Sequence, residues 1–148
     1  MANSTAMCTS FKGELLTGTH NFTPSTGNTF KAALYFATGS LGAGTTAYST
    51  TNEVTNTAGT GYTAGGVTVT NANAPATSGT TAYWTPSASF SWSALTVATA
   101  FDAVLIYNSS SGNKAVSVHN FGSQTVTAGT FTLTMPTNDA TTGLLRIA

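Results

Sequence analysis

Ala103-Val104-Leu105-Ile106-Tyr107-Asn108-Ser109-Ser110-Ser111-Gly112-Asn113-Lys114-Ala115-Val116-Ser117-Val118-His119 is the stretch whose reading decides the fold. An apolar run rich in branched side chains meets a loop of Asn, Ser and Gly, and a second run returns from Lys114 to His119. That pattern is a hairpin of two antiparallel strands. The connection, Asn108 to Asn113, is too long for a two-residue primed turn, so packing must set the register. His119 ends its strand and is expected to face solvent.

The same alternation extends outward in both directions. Phe30, Ala32, Leu34 and Phe36 alternate with Lys31, Ala33 and Tyr35, and Val67 and Val69 alternate with Thr68 and Thr70. Phe90, Trp92 and Ala94 share one face while Ser89, Ser91 and Ser93 share the other. Phe131, Leu133 and Met135 alternate with Thr130, Thr132 and Thr134. Period-two alternation with Thr outward predicts sheets buried on one face, because the branched Cβ suits the pleat and the hydroxyl suits water. A last strand is expected over Leu144–Ile147, and two stretches, Leu41–Gly66 and Asn71–Thr80, read as irregular. Eight or nine short strands with Gly/Thr/Asn-rich connections predict an all-β chain, an antiparallel β-sandwich or jelly roll.

One short N-terminal helix completes the expectation. Met7, Phe11 and Leu15 fall at helical spacing within Ser4–Leu16, Asn3 or Ser4 offers an N-cap, and Gly18 sits where a left-handed C-cap belongs. Gly13 inside it costs about 1 kcal/mol against Ala, so the helix needs a surface to dock on. Residues 1–20 form this helix and its linker, within a single domain spanning 1–148.

Composition narrows the function. Thr makes up about a fifth of the 148 residues, Lys, Arg, Asp and Glu together only 5%, and the formal net charge is zero. Charged residues average roughly 25% in soluble domains, so this surface is dressed with hydroxyls and amides, as suits a subunit covered by neighbours. Hydrophobic residues at 41% supply a core, against disorder. Four basic residues scattered along the chain argue against nucleic acid as a partner. The longest apolar run, Ala103 to Tyr107, is far short of the ~20 residues needed to span a membrane. No secretory signal is visible, which predicts synthesis in a cytoplasm. Cys8 is the single cysteine and reads as a small apolar residue.

Catalytic, metal and cofactor chemistry is not expected. Glu14, Glu53, Asp102 and Asp139 are far apart in sequence and read as surface or strand-end carboxylates; a hydrolase would have to use Glu53 or Asp102. His20 and His119 have no zinc spacing, and neither pairs with Cys8 in a nucleophile motif. Gly59-Thr60-Gly61-Tyr62 and Gly65-Gly66 read as turn glycines rather than a phosphate cradle. Tyr62, Tyr83 and Trp84 lie near turns, where a sugar platform is one use and core filling the commoner one.

An ordered series of short motifs carries a resemblance. Phe11-Lys12-Gly13-Glu14-Leu15-Leu16 with Gly18 and His20 is followed by Thr29-Phe30-Lys31-Ala32-Ala33-Leu34-Tyr35, and then by Glu53-Val54. Gly61-Tyr62-Thr63-Ala64-Gly65-Gly66, Ala103-Val104-Leu105-Ile106-Tyr107-Asn108 and Leu144-Leu145-Arg146-Ile147-Ala148 complete the series. It resembles a family of small virion proteins of tailed bacteriophages, including capsid cement, or decoration, proteins of podovirus type. The resemblance implies a jelly-roll-like fold on the outer surface of an HK97-type shell, with the major capsid protein as partner, and offers no catalytic motif. The expected function is a structural virion protein that bridges adjacent capsomers as a homodimer or trimer. The alternative is a tail or fibre component that binds a host surface glycan. Candidate interface residues are Met7, Phe11 and Leu15 on the helix face, Tyr48 and Tyr62 in the Leu41–Gly66 loop, and Trp84.

Overall fold

The computed structural model describes residues 2–54 and 61–148. The expected Gly59 and Thr60 turn positions lie outside the described residues. In chain order the elements are β1 (Ala6–Met7), α1 (Thr9–Leu16), β2 (Phe30–Phe36), β3 (Val67–Thr68) and β4 (Ala76–Ser78). There follow β5 (Thr81–Trp84), β6 (Phe90–Asn108), β7 (Lys114–Leu133) and β8 (Leu145–Ile147). Two antiparallel sheets result, one ordered β1-β7-β6-β2-β3 and the other β4-β5-β8. The protein is therefore all-β with one short helix.

The hairpin is the spine of the larger sheet, and its strands are not short. β6 runs for 19 residues and β7 for 20, against a usual strand of about 5–6. Register shifts carry the ladder past Ala94 and Ala128-Gly129. Ala94 has a φ of 53° and Ala128 a φ of 46°, the left-handed backbone typical of bulges. The bulge corrects the expected face of β6. Phe90 and Trp92 are buried, but Ala94 is exposed, and the extra residue turns Leu95 and Val97 inward in its place.

The sheet centre is buried on both faces, not one. Phe30, Ala32 and Leu34 of β2 point one way, Ala33 and Tyr35 the other, and all are buried. One face is covered by α1 and by an aromatic cluster that reaches the small sheet. There Phe22 stacks on Phe30 with centroids 4.3 Å apart, and Trp84 of β5 lies 4.7 Å from Phe22. The other face is covered by the long loop between β2 and β3. Its residues join the sheet by isolated bridges from Glu53 to Tyr35 and from Ala47 to Lys114. Gly66, with a φ of 72°, lies against the Ala32 carbonyl where a Cβ would collide with the strand.

The N-terminus departs from expectation. Ala6 and Met7 do not start a helix; they pair with Val118 and Ser117 as an edge strand. The helix begins at Thr9 with Cys8 as its N-cap, and Cys8 makes no side-chain cap bond. Asn3 and Ser4 are thus not caps. Helical spacing of Met7 and Phe11 is compatible with either state, and the unpaired edge of β7 claims the backbone first. The Cys8 amide donates to Val116 O at 3.0 Å and the Thr9 amide to Ala43 O at 2.8 Å, so neighbouring segments satisfy the first two free donors at the helix start. The other end follows the sequence. Gly18 has a φ of 69°, and the Gly18 and Thr19 amides donate to Leu15 O and Glu14 O. The stretch Asn71–Thr80 is less irregular than expected, because Ala76–Ser78 pairs with β5.

Candidate interaction site

Two buried polar clusters hold the elements in place, and each contains a carboxylate expected at the surface. Glu53 is 1% exposed. Its Oε1 accepts from the Tyr62 hydroxyl at 2.7 Å and the Gly65 amide at 2.6 Å, and its Oε2 accepts from the Tyr48 hydroxyl at 2.7 Å. The Tyr48 ring stacks on Tyr107 at 4.6 Å, and Tyr107 donates to Gly65 O at 2.8 Å. Burial, with the Glu53 charge adding to it, pushes the Tyr107 hydroxyl up to about 12 and pushes Tyr62 higher still. These phenols are therefore protonated donors at neutral pH. Glu53 is the pin that folds the β2–β3 loop onto the sheet.

Asp102 is also buried. Its Oδ1 accepts from the Asn3 side-chain amide at 2.6 Å and its Oδ2 from that of Asn120 at 3.0 Å. Asn3 also accepts from the Leu41 amide at 2.9 Å, so this cluster ties the N-terminal segment to the hairpin. Sequence reading placed both carboxylates at the surface because charge usually stays in water; here the backbone and side-chain donors surround them.

A third cluster runs under the helix. Lys114 Nζ donates to Glu14 Oε1 at 2.6 Å, and His20 Nε2 lies 2.7 Å from Glu14 Oε2. Asn108 donates its side-chain N–H to His20 Nδ1 at 3.1 Å, which assigns the imidazole proton to Nε2, facing Glu14. Burial raises the Glu14 pKa, but hydrogen bonds from Lys114 and His20, together with the Lys114 charge, outweigh it and hold the carboxyl below its ordinary value. His119, expected in solvent, is half-buried and bonded to Ser117 Oγ at 2.9 Å. Burial pushes it down to about 4. Cys8 is fully buried, and burial followed by the Glu14 charge pushes its thiol up to about 11.

The six candidate interface residues fall into two groups on opposite faces of the large sheet. Tyr48 and Tyr62 belong to the Glu53 cluster, and Tyr62 is wholly buried. Phe11, Leu15 and Trp84 line a cleft of about 490 Å³ between α1 and the small sheet. Leu15 and Met7 line an adjoining groove of about 530 Å³ that also shares Ile147. Phe11 and Trp84 form the floor and are buried, so the surfaces free to touch another molecule are those of Met7, Leu15 and their neighbours.

The aromatic trio is not brought together on one surface. Tyr62 is buried on the far side of the sheet, and the Trp84 indole donates to Asn71 Oδ1 at 2.9 Å and Asn73 O at 3.1 Å from within the core. Tyr83 alone keeps some exposure, in the cleft. Leu16 and Ile147, at the mouth of the groove, escaped sequence reading. Leu16 read as the end of a helix and Ile147 as a terminal strand, and nothing local says that both stay in water. In comparisons with known proteins, no family model, curated protein or solved structure matches this chain.

Proposed function

We propose that this chain is a non-enzymatic virion protein that decorates the outside of a phage capsid and clamps adjacent capsomers. The observation that carries the reading is the outer half of the β6–β7 hairpin. From Phe90 to Ala100 and from Gly122 to Leu133 it has no charged residue, and among the described residues its two outer edges pair with no other strand. Natural sheets guard such edges with Lys or other charge against pairing with a second chain. An unguarded edge is tolerated where a neighbour occupies it. One face of the ribbon is packed on Trp92, Leu95 and Val97, and the other offers Ser and Thr hydroxyls.

Function by surface burial also suits the polar clusters. Both oxygens of Glu53 and of Asp102 are engaged by donors of their own chain, which suits pins of the fold rather than groups poised to react. Among the motifs that carry the family resemblance, Glu53-Val54 and Gly61–Gly66 supply the Glu53 pin with its Tyr62 and Gly65 donors, and the motif around Glu14 and His20 supplies the cluster under the helix. On a shell, each copy would add apolar contact and backbone hydrogen bonds across a capsomer boundary, and small gains per copy multiply over the shell. A closed homo-oligomer suits the symmetry axes of such a surface. The test is to mix purified protein with capsids stripped of it and follow co-sedimentation and shell melting. Saturable binding with a raised melting temperature is expected; no binding to heads overturns the proposal.

A further inference from the structure

The groove between α1 and β8 has a chemistry that specifies its occupant. Leu16, 91% exposed, and Ile147, 47% exposed, are the two large hydrophobic side chains left in water among the described residues, and both line this groove. Lys12 and Arg146, half of the four basic residues of the chain, line it too. Neither forms an ion pair within the described residues; the salt bridges there use Lys114 and His20. Arg146 donates to the Thr141 carbonyl, and Asp139 is held by the Thr141 and Thr142 amides. Hydrogen bonds from Thr142 and Thr141, and then the nearby Arg146 charge, hold the Asp139 carboxyl below its ordinary value, but within the described residues no carboxylate forms an ion pair with Lys12 or Arg146. In a chain this poor in charge, two such cations beside the two exposed aliphatics form one feature.

We infer that this groove binds an extended acidic–apolar peptide segment of a partner protein. β8 is the outer strand of the small sheet, so its free edge gives an incoming strand backbone partners. The aliphatic side chains of that strand fill the space between Leu15, Leu16 and Ile147, and its flanking carboxylates meet Lys12 and Arg146. Met7 lines the same groove. Charge complementarity selects an acidic segment over a neutral or basic one and speeds the encounter. The concave shape, about 530 Å³, favours an inserted chain over a flat lipid surface. A second copy of this chain is also disfavoured: the uncharged hairpin edges have no carboxylate to offer these cations.

The inference does not rest on the capsid reading, and its test needs no capsid. A displayed library of random decapeptides is panned on the full protein. Selected peptides are then measured by fluorescence polarisation against Leu16→Asn/Ile147→Asn and Lys12→Glu/Arg146→Glu variants. Leu16 and Ile147 are exposed, so the first variant is expected to melt as the parent does, which a thermal scan verifies. Enrichment of peptides with aliphatic residues flanked by Asp or Glu is expected, with affinity reduced at least tenfold in each variant and weakened by salt. No enrichment, or peptides that bind both variants as tightly as the parent, overturns the inference. Flotation with phosphatidylserine vesicles, or self-association in sedimentation, that is lost in the same variants would overturn it in favour of a membrane or a second copy.

Discussion

Trp84 and Trp92 are both about 3% exposed, yet their indoles are in opposite states. The Trp84 N–H serves two acceptors, Asn71 Oδ1 and Asn73 O, and so ties the segment before β4 to the small sheet. Among the described residues, the Trp92 N–H is buried with no partner. A hydrogen bond contributes about 1 kcal/mol, whereas a buried donor without an acceptor costs about 1–3 kcal/mol. Trp84→Phe is therefore expected to lower stability by roughly 2–3 kcal/mol, since it also strands the Asn71 carbonyl. Trp92→Phe is expected to cost under about 1 kcal/mol, because lost contact area is offset by removal of the unpaired donor. Urea denaturation of the two variants side by side checks the contrast; equal losses would contradict it.

At the scale of elements, backbone conformation separates positions that look alike in sequence. Gly66 and Ala94 both sit in left-handed backbone, with φ of 72° and 53°. Gly66 abuts the Ala32 carbonyl of β2, so Gly66→Ala must displace a central strand and should cost more than ~2 kcal/mol. Ala94 is exposed at its bulge, and there a side chain only opposes the required φ. Ala94→Gly relieves that strain at some entropic cost, and a net gain of roughly 0.5–1 kcal/mol is expected. Thermal melting of both variants tests the pair. The bulge also explains how a hairpin of this length stays amphipathic. Each extra residue resets the alternation, so Leu95 and Val97 reach the core although Ala94 stands in line with Trp92.

For the whole molecule, stability should fall in acid in two stages. His119 is held at about 4 in the folded state, below its ordinary value of 6.5, so between those limits the unfolded chain binds the extra proton. Its contribution is complete above about pH 6.5 and is lost as pH drops toward about 4, a change of roughly 1–3 kcal/mol. Glu14, also held below its ordinary value, adds a loss only below about pH 4.5. Melting temperature should thus decline between pH 7 and pH 4.5, and His119→Gln should flatten that first stage. An unchanged profile in the variant would show that another group governs it.

The hairpin, the existence of the β2 strand though not its burial on both faces, and the left-handed cap at Gly18 were legible in the sequence, because period-two patterning and turn chemistry act within a few residues. Low charge was legible too, and it underlies the proposal that the molecule works by being covered. The tertiary structure alone decided that Ala6–Met7 joins the edge of β7, because the competing hydrogen-bond partner lies over a hundred residues away. It alone buried Glu53 and Asp102, since their donors come from Tyr48, Tyr62, Gly65, Asn3 and Asn120, scattered along the chain. The groove was illegible for the same reason. Leu16 and Ile147 look like ordinary element ends until the fold sets α1 beside β8 and leaves both in water between two cations. Local patterns fix which backbone state is cheap; only the assembled chain fixes which buried groups are paired and which surfaces stay uncovered.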